Sequence, residues 1–102
     1  VRLISEAMMQ RASAPITRPD EIDLCLMRKT NFGMGYMTPT ALMPLSGPQS
    51  FGHSGAGGSI SFGDPVRNLA FSYVMNRMGS YLFTDTRASS LIAAASRCAD
   101  AF

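Results

Sequence analysis

Two periodicities divide this chain. From residue 51 to 76, large apolar side chains recur at every second position: Ile60 and Phe62 alternate with Ser59 and Ser61, and Leu69, Phe71 and Tyr73 alternate with smaller residues. A period of two sends successive side chains to opposite faces of a strand. Gly63, Asp64, Pro65 and Asn68 stand between the two runs, so together they read as an antiparallel hairpin. The glycine-rich run from Phe51 to Ser59 reads as a further strand, with small residues where side chains find no room. Three consecutive antiparallel strands are therefore expected.

The end of the chain changes to a helical period. Thr84 or Asp85 can cap a helix on which Leu91, Ala95, Cys98 or Ala99, and Phe102 recur on one face. Five alanines between residues 88 and 99 favour helix and permit close packing on a sheet. Over residues 1–11, Leu3, Ile4, Ala7 and Met8 lie at helical spacing and read as the end of a helix arriving from upstream. Two prolines mark residues 13–19 as a loop, and Leu24 and Leu26 suggest a short strand. Residues 32–37 alternate Gly33 and Gly35 with Phe32, Met34 and Tyr36. As a strand this segment would carry its bulk on one face and leave the other bare for a close-packed backbone. Pro39, Pro44, Gly47 and Pro48 mark a connection. Helix end, loop, strands and helix make an α+β arrangement.

Composition narrows the functional classes. A chain of 102 residues makes at most one domain, and its 46% hydrophobic and 16% charged content is that of a folded protein. A net charge of +2, with Lys and Arg scattered singly, argues against a nucleic-acid partner. No apolar run approaches the ~18 residues a membrane span needs, and the first residues do not form a secretory signal. Starting at Val1 without an initiator methionine fits a chain that begins in mid-protein. Cys25 and Cys98 lie in apolar stretches and read as small buried hydrophobes, with a single disulfide between them left open. The compartment is not specified.

Candidate chemistry centres on Gly52-His53-Ser54-Gly55-Ala56. These letters nearly match the G-x-S-x-G nucleophile elbow, but the elbow needs a helix directly after the serine, and Gly57-Gly58-Ser59-Ile60 is a strand-like continuation. A phosphate loop would need Lys where Gly58 stands, and a dinucleotide fingerprint would need Gly where Ile60 stands. A single histidine makes no metal site by itself. No metal and no cofactor are expected. His53, flanked by Gly and Ser, sits where a ligand has room to approach.

Here the residues carry a resemblance. Phe51 to Ser59, then Gly63-Asp64-Pro65, then Phe71-Ser72-Tyr73-Val74-Met75-Asn76-Arg77-Met78, resembles the C-terminal signature of the serine β-lactamase-related family, which groups class C β-lactamases, D,D-peptidases and β-lactamase-like esterases. Phe32 to Tyr36 resembles that family's preceding Gly-x-Gly strand, and the alanine-rich end its terminal helix. The resemblance implies the C-terminal portion of a β-lactamase-like α+β fold, about three antiparallel strands packed by a C-terminal helix, with residues 1–102 forming the last part of one domain.

It also implies a site. Family members place S-x-x-K (nucleophile and activating Lys), Y-x-N (a proton-shuttling Tyr) and K-T-G or H-x-G around one pocket. The third motif falls on His53-Ser54-Gly55, so the catalytic candidates are His53, Ser54, Gly55 and Ala56. By carry-over, His53 replaces the usual Lys in polarising the Ser–Tyr network or contacting the substrate. Gly55 leaves room for the acyl group, and the Ala56 N–H is one of two oxyanion donors. Histidine in place of Lys removes a permanent charge and favours esters or amides with neutral ends over carboxylate recognition. S-x-x-K and Y-x-N are both missing: Leu26 stands three before Lys29, and Tyr73-Val74-Met75-Asn76 is one residue too long. The expected partners are therefore a small-molecule ester, amide or lactam and the N-terminal part of the same domain. The competing readings are a non-catalytic binding or assembly module and an unrelated α+β domain.

Overall fold

Wherever side chains alternate most regularly, strands form. In the computed structural model, which describes residues 3–102, helix α1 spans Glu6–Ser13, strands β1, β2 and β3 span Phe51–Ser54, Ile60–Asp64 and Leu69–Tyr73, and helix α2 spans Thr86–Asp100. The strands pair antiparallel in the order β1-β2-β3. Gly52 pairs with Phe62 and Phe62 with Phe71; Ser54 pairs with Ile60 and Ile60 with Tyr73. This register gathers Ile60, Phe62, Leu69, Phe71 and Tyr73 on one face. Phe62 and Phe71 stack with ring centroids 5.4 Å apart, a pairing worth about 0.5–1.5 kcal/mol beyond area burial.

That face meets α2 and the connection before β1. Met37, Met43, Leu45, Ile60, Phe62, Ala88 and Ile92 form the buried cluster. The opposite face carries Phe51, His53, Ser61, Gly63, Ala70 and Ser72 and is largely open to solvent. Beyond β1 the ladder continues by a single bridge, in which Met37 and Gly52 exchange both backbone hydrogen bonds (2.7 and 2.9 Å). Beyond β3, no strand pairs among the described residues.

Asp64 closes the hairpin. Its buried carboxylate accepts the N–H groups of Val66 and Arg67 (3.0 and 3.3 Å), and Asn68 takes a positive φ of 49°. It also accepts the Ser46 hydroxyl and the Arg67 guanidinium, at 2.5 and 3.0 Å. Burial works against the charge, yet the Ser46 and Arg67 hydrogen bonds outweigh it and hold the Asp64 carboxyl below the usual range. Arg67 reaches on to Asp100 at 2.7 Å, tying the hairpin to the end of α2.

Helix α2 starts at the expected cap: Asp85 accepts the Arg87 N–H at 2.8 Å. Its buried face differs from expectation. Ala88 and Ile92 are buried, whereas Leu91, Cys98 and Phe102 are exposed, Leu91 at 48%. One residue is ~100° of helix rotation, so seating Ile92 on the sheet turns Leu91 outward. Close approach decides in favour of the small-residue stripe, and Ser96 donates to Ser46 at 3.2 Å on the same side.

The first half corrects further expectations. Helix α1 begins at Glu6 because the Ser5 hydroxyl accepts the Met8 N–H (3.2 Å) and caps it. Leu3 and Ile4 precede it and are exposed; Val1 and Arg2 lie outside the described residues. Leu24 and Leu26 form no strand. The Asp23 carboxylate accepts the N–H groups of Cys25 and Leu26 (2.9 and 3.0 Å), and this side-chain turn, with Met27 at φ 53°, overrides the alternation. Within residues 32–37 only Phe32 and Met37 bridge each other, around a reversal in which Gly33 donates to Tyr36 at 2.8 Å, and only Met37 reaches β1. Met34 and Tyr36 are exposed. The bare side of Gly33 is nonetheless used as expected: a Cβ there would collide with the Ala12 carbonyl oxygen and reach 3.0 Å from that of Ala14. Both cysteines are exposed and unpaired rather than buried.

Candidate functional site

The H-x-G segment is a strand end followed by a tight turn, not a strand running to Ser59. Strand β1 stops at Ser54. Gly55 then donates to Ser59 (2.8 Å) and Gly58 donates back to Gly55 (3.3 Å). Gly57 and Gly58 have φ of +94° and +115°, conformations that side-chain-bearing residues resist. The strand expectation fails here because this reversal requires two positive φ angles in succession.

Alternation along β1 separates two of the four candidates. His53 is exposed on the open sheet face, across from Ser61, while Ser54 is buried on the core face. The Ser54 hydroxyl donates to the Leu82 carbonyl at 3.4 Å. The His53 Nδ1 lies 2.6 Å from the Ser54 carbonyl oxygen, and its ring centroid is 6.0 Å from that of Phe32. A carbonyl can only accept, so Nδ1 carries the proton and a neutral ring keeps a lone pair on Nε2. Gly55 is half-buried: a Cβ there would strike the Ser59 hydroxyl. Ala56 is exposed at the tip of the turn, and its N–H meets no acceptor among the described residues.

The turn is held from beneath. The Gly57 N–H donates to Tyr81, and the Gly57 carbonyl accepts the Gly79 N–H, both at 2.9 Å. Arg87 reaches the same carbonyl with Nη2 (3.5 Å) and the Arg77 carbonyl with Nη1 (3.0 Å). Its Nε and Nη2 grip the Asp85 carboxylate, which is buried against Gly58 with no room for a Cβ between them. Hydrogen bonding from Arg87 holds the Asp85 carboxyl below the usual range and raises Arg87 in return. Sequence reading found Asp85 only as a helix cap and missed Arg87. An Asp-x-Arg at a helix start, following a double-glycine turn, is the signal that could have found the pair.

The principal cavities lie elsewhere. One of about 470 Å³ opens between α1 and the start of β1, lined by Glu6, Gln10, Pro39, Phe51 and Val66; another of about 590 Å³ lies around Arg28, Leu42, Tyr81 and Phe83. His53 lines neither, so its surroundings are an open face. No group of three His, Cys, Asp or Glu side chains able to hold a metal ion occurs among the described residues. No helix among them is long and apolar enough to cross a membrane.

No protein-family model and no curated protein matches the sequence. Solved structures do. EstA from Arthrobacter nitroguajacolicus Rue61a superposes with a TM-score of 0.83 at 29% identity over 98% of this chain. A family VIII carboxylesterase superposes with a TM-score of 0.81 at 35% identity over 95% of it. Both are serine β-lactamase-related esterases.

The chain carries part of a serine β-lactamase-related fold. It spans 26% of the length of each of these structures. The expected portion of that fold, three antiparallel strands packed by the helix that follows them, is what the chain has. An unrelated α+β domain is thereby set aside. Within this serine β-lactamase-related fold, His53, Gly55 and Ala56 lie on or near the open side, and Ser54 points into the core.

Proposed function

We propose that this chain is the H-x-G part of a serine hydrolase domain that cleaves ester or amide bonds, lactams included, through an acyl-enzyme. The observation that carries the reading is the presence of an exposed His53 at the end of β1 and, three residues on, an exposed Ala56 whose N–H meets no acceptor among the described residues. One can polarise a nucleophile–tyrosine network; the other can stabilise the oxyanion of a tetrahedral intermediate. Gly55 adds no side chain between them. The buried Ser54 serves in this reading as a structural hydroxyl, not as the nucleophile. The nucleophile comes from a segment outside these 102 residues, supplied by the rest of the same domain. Similarity to a carboxylesterase supports esters as the first substrates to test.

The test is a chimera in which this chain replaces the matching quarter of the family VIII carboxylesterase. The expected result is turnover of a p-nitrophenyl ester together with a trapped acyl-enzyme seen by mass spectrometry. A chimera that folds cooperatively yet forms no acyl-enzyme would overturn the proposal. The 102-residue chain alone is expected to hydrolyse the same ester no faster than buffer.

A further inference from the structure

The Ala56 N–H can stabilise an oxyanion only if the turn that presents it is held still, since misplacement by ~1 Å can cost about 10²-fold in rate. Four-residue turns at a strand end are otherwise among the more mobile parts of a fold. Here the turn's two ends are ordinary, and the anchoring falls on Gly57 and Gly58. The Gly57 carbonyl takes the Gly79 N–H and the tip of Arg87, and Gly58 lies directly on the Asp85 carboxylate. Arg87 also fixes the Arg77 carbonyl, so one guanidinium joins the turn, the 77–81 segment and the start of α2. Its planar fork suits this task, where an ammonium would act at one point only.

We propose that Asp85 and Arg87 are positioning residues for the Ala56 N–H, a clamp that fixes the oxyanion turn to the N-terminus of α2. The inference rests on the hydrolase reading above. Neither residue touches the substrate; both act through the backbone of Gly57 and Gly58.

The clamp and the cap can be separated. Asp85→Asn keeps an oxygen acceptor at the N-cap, where Asn is as good as Asp, but removes the charge that holds the guanidinium. Arg87→Met removes the fork and keeps an unbranched stem. In the chimera, both variants are expected to lower kcat for a p-nitrophenyl ester by about 10–100-fold, a part of the 10²–10³ that one oxyanion donor supplies. KM should move less than about threefold, because a donor that acts on the developing oxyanion shows in kcat. Arg87→Lys should not restore kcat. By hydrogen exchange and mass spectrometry, amides 55–58 should exchange faster in the variants while residues 88–99 keep their protection. Unchanged kcat, or exchange rising equally throughout α2, would overturn the clamp. A parent chimera without turnover would sink the hydrolase reading instead, and the exchange arm alone would then report whether Arg87 restrains the turn.

Discussion

Two carboxylates, Asp64 and Asp85, are buried yet held below the ordinary carboxyl range, the first against the cost of burial and the second by Arg87. A carboxyl whose folded-state pKa is depressed contributes stability above its unfolded pKa and loses it as pH falls through the folded value. The melting temperature should therefore hold near neutrality and fall once pH drops below about 4, as thermal unfolding at graded pH would report; a melting temperature flat down to about pH 2 would contradict this. On the open face the contrast is between His53 and Ser61, which face each other across β1 and β2. In the chimera, His53→Ala should lower kcat/KM at least tenfold. Ser61→Ala loses exposed hydroxyl contacts with Ser72 (2.7 Å) and the Phe71 carbonyl (3.4 Å) and should leave stability within ~0.5 kcal/mol and kinetics unchanged. Equal kinetics for the two would remove His53 from the site. Legibility at this scale was uneven. His53, Gly55 and Ala56 stood out as letters, but the inward turn of Ser54 follows from strand register, which its neighbours in sequence do not reveal. Arg87 was missed because a guanidinium acting on backbone carbonyls leaves no pattern of its own.

Elements were readable where periodicity and burial agree. The β2–β3 hairpin could be read off because Phe62 and Phe71 must share a face and Asp64 supplies the turn. The cap of helix α2 is legible in Asp85, but its buried face is not: size points to Leu91, whereas Ala88 and Ile92 are the residues buried. The same logic hid the turn at residues 24–27, where a short-range carboxylate interaction outcompeted a weak strand pattern. A pair of truncations checks the corrected face. Ile92→Ala should cost about 2–4 kcal/mol in urea unfolding, and Leu91→Ala, 48% exposed, under about 1 kcal/mol. Equal losses would mean that the helix is rotated from the orientation described.

At the scale of the molecule, the cluster of seven buried apolar residues is small for a chain of this length, while Val74, Leu82, Leu91 and Phe102 meet water and β3 has no outer partner among the described residues. Exposed edges and apolar patches of this kind template association. Purified alone, the chain should self-associate with rising concentration by light scattering, and the chimera should not; a monodisperse monomer at high concentration would count against residues 1–102 being one part of a larger domain.

The two surface thiols add a different kind of association. Cys25 lies in the turn that the Asp23 carboxylate holds, Cys98 lies in the last turn of α2, and both are exposed and unpaired. Unpaired and open to solvent, they make each copy a bifunctional monomer under oxidising conditions. Air oxidation should then yield ladders of covalently linked copies rather than a single crosslinked species, and Cys98→Ser should stop the series at the dimer on a non-reducing gel.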